Sequence, residues 1–126
     1  MVGLVLVSHS ATLAAGLVEL IAQLAPDVTV ATAAGTEDGR IGTSADLVET
    51  ALGTADGGDG VVVIADLGSA VLSVRVALEE HDETKYVLVD APFVEGAVSA
   101  AVTAGTGATL AEVIAAAQEA REIPKF

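Results

Sequence analysis

The chain has 126 residues, with eighteen Asp and Glu against five Lys and Arg, a net charge of −13 and no cysteine. Such a surface repels nucleic acid and anionic lipid, and the three aromatic residues, Tyr86, Phe93 and Phe126, are too few to stack bases. Hydrophobic residues make up 52%, enough for one packed domain over 1–126, and the lack of cysteine removes disulfides, thiol redox chemistry and Cys-ligated metals.

The first predicted element is a strand over Val2–Val7, a continuous aliphatic run that stops at Ser8-His9-Ser10. A run of this length bounded by polar residues reads as a strand buried on both faces. No basic segment precedes it and no apolar run approaches the length of a membrane span, so the expectation is a cytoplasmic protein with no membrane partner. Leu13, Leu17, Leu20, Ile21 and Leu24 then follow a helical period, with Ser10 or Thr12 as the cap and Pro26 as the stop. Val28–Ala34 is the second strand. Gly35–Gly42 is too glycine-rich and polar for regular structure.

Thr43-Ser44-Ala45-Asp46 has capping-box spacing and opens a helix whose apolar face is Leu47, Val48, Ala51 and Leu52. A Gly/Asp turn over 56–60 leads to the third strand, Val61–Ala65, which ends at Asp66-Leu67-Gly68-Ser69. Those turn glycines lack the Lys-Ser/Thr of a phosphate loop. Ala70–Glu80 is predicted as a largely buried helix, though its valines and leucines also suit a strand. Lys85–Val89 is the fourth strand and Val94–Ala104 a helix of small residues. Thr109-Leu110-Ala111-Glu112 is a capping box for a last helix, followed by a flexible tail over about 122–126. His81, in Glu80-His81-Asp82-Glu83, is predicted to be a solvated loop residue.

Strands alternating with helices imply parallel strands joined by crossovers: an α/β fold, small and doubly wound, with helices on both faces of a mainly parallel sheet. The common order 2-1-3-4 sets the carboxyl ends of strands 1 and 3 side by side, where ligands collect. His9 and Asp66 then become neighbours. A carboxylate on one ring nitrogen fixes the tautomer and leaves the other as a nucleophile. Ser8, Ser10, Gly68 and Ser69 surround the pair, and helix N-termini with hydroxyls suit a phosphoryl group. The residues alone also allow His9 as an ordinary loop histidine and Asp66 as a helix cap.

Four segments go further. Val5-Leu6-Val7-Ser8-His9-Ser10, Ile41-Gly42-Thr43, Asp66-Leu67-Gly68-Ser69-Ala70 and Ala91-Pro92-Phe93-Val94-Glu95-Gly96 resemble, in order and spacing, the phosphoryl-donor (M) subunits of phosphotransferase-dependent dihydroxyacetone kinases. The enzyme IIA-like domain of these subunits has the mannose-family IIA fold, and the resemblance runs from Val2 to about Ala117. It implies that His9 is phosphorylated by the phosphocarrier protein HPr and passes the group to ADP on a nucleotide-binding subunit. The resulting ATP phosphorylates dihydroxyacetone on a third subunit, a place in glycerol metabolism. It further implies that Asp66 orients His9, that the chain forms a homodimer, and that the donor is a separate protein. Ser10, Thr43, Gly68 and Ser69 are the phosphate-binding candidates. No metal and no cofactor bound by this chain are expected; Mg-ADP/ATP resides on the partner.

Three other readings compete, one of them a purely structural or nucleotide-binding α/β module that leaves His9 unmodified. A mannose-family IIA component of a sugar transporter would use the same histidine but hand the group to a IIB domain. A receiver domain phosphorylated on Asp66 needs an acidic pair after strand 1 and a lysine at a later strand end. Strand 1 ends instead in Ser-His-Ser, and Lys85 begins a strand.

Overall fold

The computed structural model describes all 126 residues. Its elements run β1 (Gly3–Ser8), α1 (Ala11–Leu24), β2 (Val30–Ala34), α2 (Ala45–Ala55), β3 (Val61–Ala65), α3 (Gly68–Leu78), β4 (Tyr86–Leu88), α4 (Phe93–Ala104) and α5 (Leu110–Glu119). The four strands form one parallel sheet in the order β2-β1-β3-β4. The expected order is therefore the observed one. No helix is long and apolar enough to cross a membrane.

Every residue of β1 is buried because the sheet is covered on both faces. Side chains alternate across a strand, so β1 and β3 supply two cores. Val2, Leu4, Leu6, Val62 and Ile64 meet Leu17 and Ile21 of α1, the alanines of α4, and Val113 and Ala117 of α5. Val5, Val7, Val61 and Val63 meet Val48 and Leu52 of α2 and Ala70, Val74 and Ala77 of α3. Each fully buried aliphatic side chain contributes about 1.5–3 kcal/mol, which is why an aromatic-poor chain still holds its sheet firmly. Gly3 is required for this closeness, since a Cβ there would sit 2.0 Å from the Ala55 carbonyl oxygen.

Several boundaries differ from the sequence expectation, each for a physical reason. Ser44, not Thr43, is the N-cap of α2, its hydroxyl accepting from the Leu47 N–H; the Thr43 hydroxyl instead meets Ser73 Oγ on α3 at 2.7 Å. Ser10 rather than Thr12 caps α1 through the Leu13 N–H. α3 starts at Gly68, two residues before Ala70, and no side chain caps it. β2 begins at Val30 rather than Val28, and β4, paired only along β3, keeps three residues. The capping box at Thr109 and Glu112 forms as expected. Residues 121–126 are exposed and irregular, touching the body through the surface pairs Arg121–Asp90 and Lys125–Glu95, each 3.0 Å.

Candidate functional site

The parallel register pairs Val7 with Ala65, so the residues that follow, Ser8 and His9 on one side and Asp66 on the other, emerge together. The ladder continues one step further through the Asp66 N–H to the Val7 carbonyl, 3.0 Å. Two residues 57 positions apart in sequence are thereby fixed at one point of the sheet edge, where the strand order reverses.

Asp66 is the most heavily engaged side chain of the site. Its Oδ2 accepts from the Ser8 hydroxyl (3.0 Å) and the His9 backbone N–H (2.9 Å). Its Oδ1 accepts from the Leu67 N–H (2.7 Å) and lies 3.0 Å from His9 Nδ1. Burial by itself pushes the Asp66 carboxyl up. The His9 N–H, the His9 ring, the Ser8 hydroxyl and the Leu67 N–H outweigh it and hold the group below the usual carboxylate range.

An ionised carboxylate only accepts, so the nitrogen facing it, Nδ1, carries the proton. Nε2 then keeps its lone pair, and the Ser69 hydroxyl, 2.9 Å away, donates to it. His9 is half-buried with its ring held at both nitrogens, by β3's end on one side and by α3's first turn on the other. The arrangement is an oriented, accessible nitrogen nucleophile beside uncapped helical N–H groups.

Of the four phosphate-binding candidates, two are at the ring. Ser69 touches Nε2, and Gly68 opens α3 with no side-chain cap over its first N–H groups. Ser10 Oγ accepts from Leu13 as the α1 cap, and its own proton finds no acceptor in the protein. Thr43 is drawn off to Ser73, although its neighbour Gly42 holds the site by donating its N–H to the His9 carbonyl, 3.0 Å. The sequence places Ser8 near the pair without a role in it. It is fully buried, donates to Asp66 and accepts from the Ser10 N–H at 3.1 Å. The one sequence signal for it is that it is the first polar residue after an unbroken aliphatic run.

The remaining polar features lie elsewhere. Arg40 pairs with Asp38 on the exposed 35–42 loop. His81 lies in the loop after α3 as expected and is partly exposed, but it is not free of partners: its Nε2 sits 2.6 Å from Glu49 Oε1 and its ring meets Tyr86 edge-on at 5.1 Å. Residues able to hold a metal ion as a cluster of three or more His, Asp or Glu are not found together.

The family model EIIA-man, described as the PTS system fructose IIA component, matches residues 3–114. The phosphoryl donor subunit DhaM of PEP-dependent dihydroxyacetone kinase 1 from Listeria innocua is 43% identical over 99 residues, 79% of this chain and 78% of its own length. The PTS-dependent dihydroxyacetone kinase phosphotransferase subunit DhaM of Lactococcus lactis is 36% identical over 107 residues, 85% of each chain. The Escherichia coli DhaM is 41% identical over 97% of this chain, which spans 27% of that longer protein. A crystal structure described as protein EF1359, of unknown function, superposes with a TM-score of 0.84 at 38% identity, covering 94% of this chain and 95% of its own.

Proposed function

The chain belongs to the mannose-type enzyme IIA family, among the phosphoryl donor subunits of PEP-dependent dihydroxyacetone kinases, and from that premise we propose that His9 carries the phosphoryl group. HPr supplies the group, and ADP on the kinase's nucleotide-binding subunit receives it. The observation that carries this reading is the Asp66 contact to Nδ1, which leaves Nε2 as the free lone pair.

In the first half-reaction the Nε2 lone pair attacks the phosphorus of phosphorylated HPr. The new N–P bond forms as the donor's N–P bond breaks, and that bond's electrons return to the donor histidine. Nδ1 keeps its proton throughout, and the positive charge that develops on the ring faces Asp66. In the second, a β-phosphate oxygen of ADP attacks the same phosphorus and the electrons of the Nε2–P bond return to the ring. Transfer of this kind is largely a matter of positioning and charge stabilisation. The Ser69 hydroxyl and the first N–H groups of α3 are suited to the phosphoryl oxygens. Neutral donors hold the group without trapping it, and the metal that accompanies the nucleotide stays on the partner. Family membership also supports a homodimer, which light scattering reports directly.

The test is incubation with phosphoenolpyruvate, enzyme I and HPr, read by mass spectrometry for an acid-labile phosphoryl group. Wild-type protein gains one, and His9→Ala gains none. A phosphorylated His9→Ala protein overturns the assignment. Discharge is then compared between the ADP-loaded nucleotide-binding subunit and a sugar-transporter IIB domain, the former being the expected acceptor.

A further inference from the structure

Beside the His9 site lies a cleft of about 440 Å³, at the carboxyl ends of β3 and β4 and under α3. Asp66, Leu67 and Gly68 form its near wall, Val71 and Arg75 its far wall, and Asp90 its rim. It therefore begins at Asp66, the carboxylate that holds the His9 ring, and runs away from it along α3, with His9 and Ser69 just outside its lining. The position of Arg75 is unusual in a chain of net charge −13. Arg40 is paired with Asp38 and Arg121 with Asp90, whereas Arg75 has no carboxylate within ion-pair distance. Its guanidinium is an available cation at a cleft that borders the His9–Asp66 pair through Asp66 and Gly68.

We propose that this cleft receives the acceptor nucleotide carried by the partner subunit, with Arg75 binding the phosphate that is not undergoing transfer. The proposal rests on His9 being the phosphoryl carrier. Donor and acceptor make different demands on the surface around His9. A phosphohistidine donor brings one phosphoryl group, and the Ser69 end of α3 is sufficient for that. A nucleoside diphosphate brings a second phosphate and a ribose beyond the reacting oxygen, and needs both room and a further positive charge. Ser69 and Arg75 are six residues apart on one helix, about 9 Å along its axis. Side chains on a helix lean toward its N-terminus, so Arg75 reaches back toward Gly68, as its shared lining of the cleft requires. Arginine also suits the task by geometry, because its planar fork matches two phosphate oxygens at once.

Arg75 is also in the last turn of α3, where a cation favours the helix dipole, so stability must be read separately from transfer. The experiment measures the two half-reactions apart. Arg75→Ala and Arg75→Lys proteins are charged by phosphorylated HPr, purified, and mixed with the nucleotide-binding subunit loaded with Mg-ADP, while thermal melts confirm folding. The expected result is charging of His9 within twofold of wild type, and discharge to ADP slowed about ten- to a hundredfold in Arg75→Ala, with Arg75→Lys between. Discharge at the wild-type rate, or equal slowing of both half-reactions, overturns the nucleotide site and leaves His9 as carrier. A wild-type chain that never accepts a phosphoryl group overturns the carrier reading itself.

Discussion

Ser69 Oγ lies 2.9 Å from His9 Nε2, the ring nitrogen that Asp66 leaves free. The hydroxyl that donates to this lone pair is therefore also placed to donate to a group that replaces it. Ser69→Ala removes that donor while leaving the buried sheet edge untouched, since Ser69 is exposed. The expected outcome is a phosphorylation rate about tenfold lower at unchanged stability, with Ser69→Thr recovering most of it. Stopped-flow transfer from HPr and a urea titration check both halves.

Asp66 fixes the tautomer, so its removal acts on chemistry more than on folding. In Asp66→Ala the ring loses its Nδ1 acceptor, and the proton redistributes toward Nε2, the atom proposed to attack. Phosphorylation should fall by roughly 10²–10⁴-fold. The Ser8 hydroxyl, the His9 N–H and the Leu67 N–H lose their acceptor as well, at a cost of about 2 kcal/mol, and the protein still folds. Nitrogen-15 NMR of His9 should show the Nδ1–H tautomer in the wild type and a mixture in the variant; identical spectra would falsify the tautomer argument.

The sheet and the His9–Asp66 pair were legible in the sequence because aliphatic runs buried on both faces and strand-helix alternation permit few topologies. What stayed hidden depended on contacts distant in sequence. Thr43 and Ser44 are equivalent hydroxyls in the sequence, and the choice of cap is made by Ser73, thirty residues on. Gly68-Ser69 reads as turn chemistry in the sequence, while in the fold these residues open α3 and Ser69 is held against His9. His81 sits among charges in the sequence, yet Glu49 and Tyr86 come to it from other elements. Arg75 has no local signal at all, and its significance comes only from a cleft made by two strand ends and a helix.

Ser8 is the hidden support of the site. Its hydroxyl links the Ser10 N–H to Asp66 with no access to water. Ser8→Ala leaves that N–H without its partner and removes one of the four donors on the carboxylate. A loss of about 1–3 kcal/mol is expected, together with a several-fold slower phosphorylation. Urea denaturation midpoints and the charging rate check the two effects, and an unchanged midpoint excludes a supporting role.

Acid should reveal the same carboxylate. The folded Asp66 titrates below its ordinary value of 3.8, so in the window between the two the unfolded chain binds more protons and stability rises with pH. The contribution is complete above pH 4 or so and disappears as the pH falls through the folded value. Asp38, Asp56, Asp82 and Glu112 are also lowered, but they remain in an Asp66→Asn variant. The stability gap between wild type and Asp66→Asn should therefore narrow between pH 6 and pH 3. Urea midpoints across that range measure it, and a constant gap counts against the shift.

Gly42 couples the 35–42 loop to the His9 site through its N–H to the His9 carbonyl. Its φ of +147° is one that L side chains rarely adopt, and a Cβ there would lie 2.8 Å from Thr36 Cγ2. Gly42→Ala must therefore strain the backbone or move the loop, and either change loosens the carbonyl that anchors His9. The expected cost is about 1–3 kcal/mol, with a slower phosphorylation beside it. Gly39→Ala is the control: φ is +85° and a Cβ meets open space, so only the backbone cost of about 1–2 kcal/mol applies. Gly39→Ala should charge His9 at the wild-type rate. If both variants slow charging equally, the loop acts on the site as a whole and not through the Gly42 hydrogen bond.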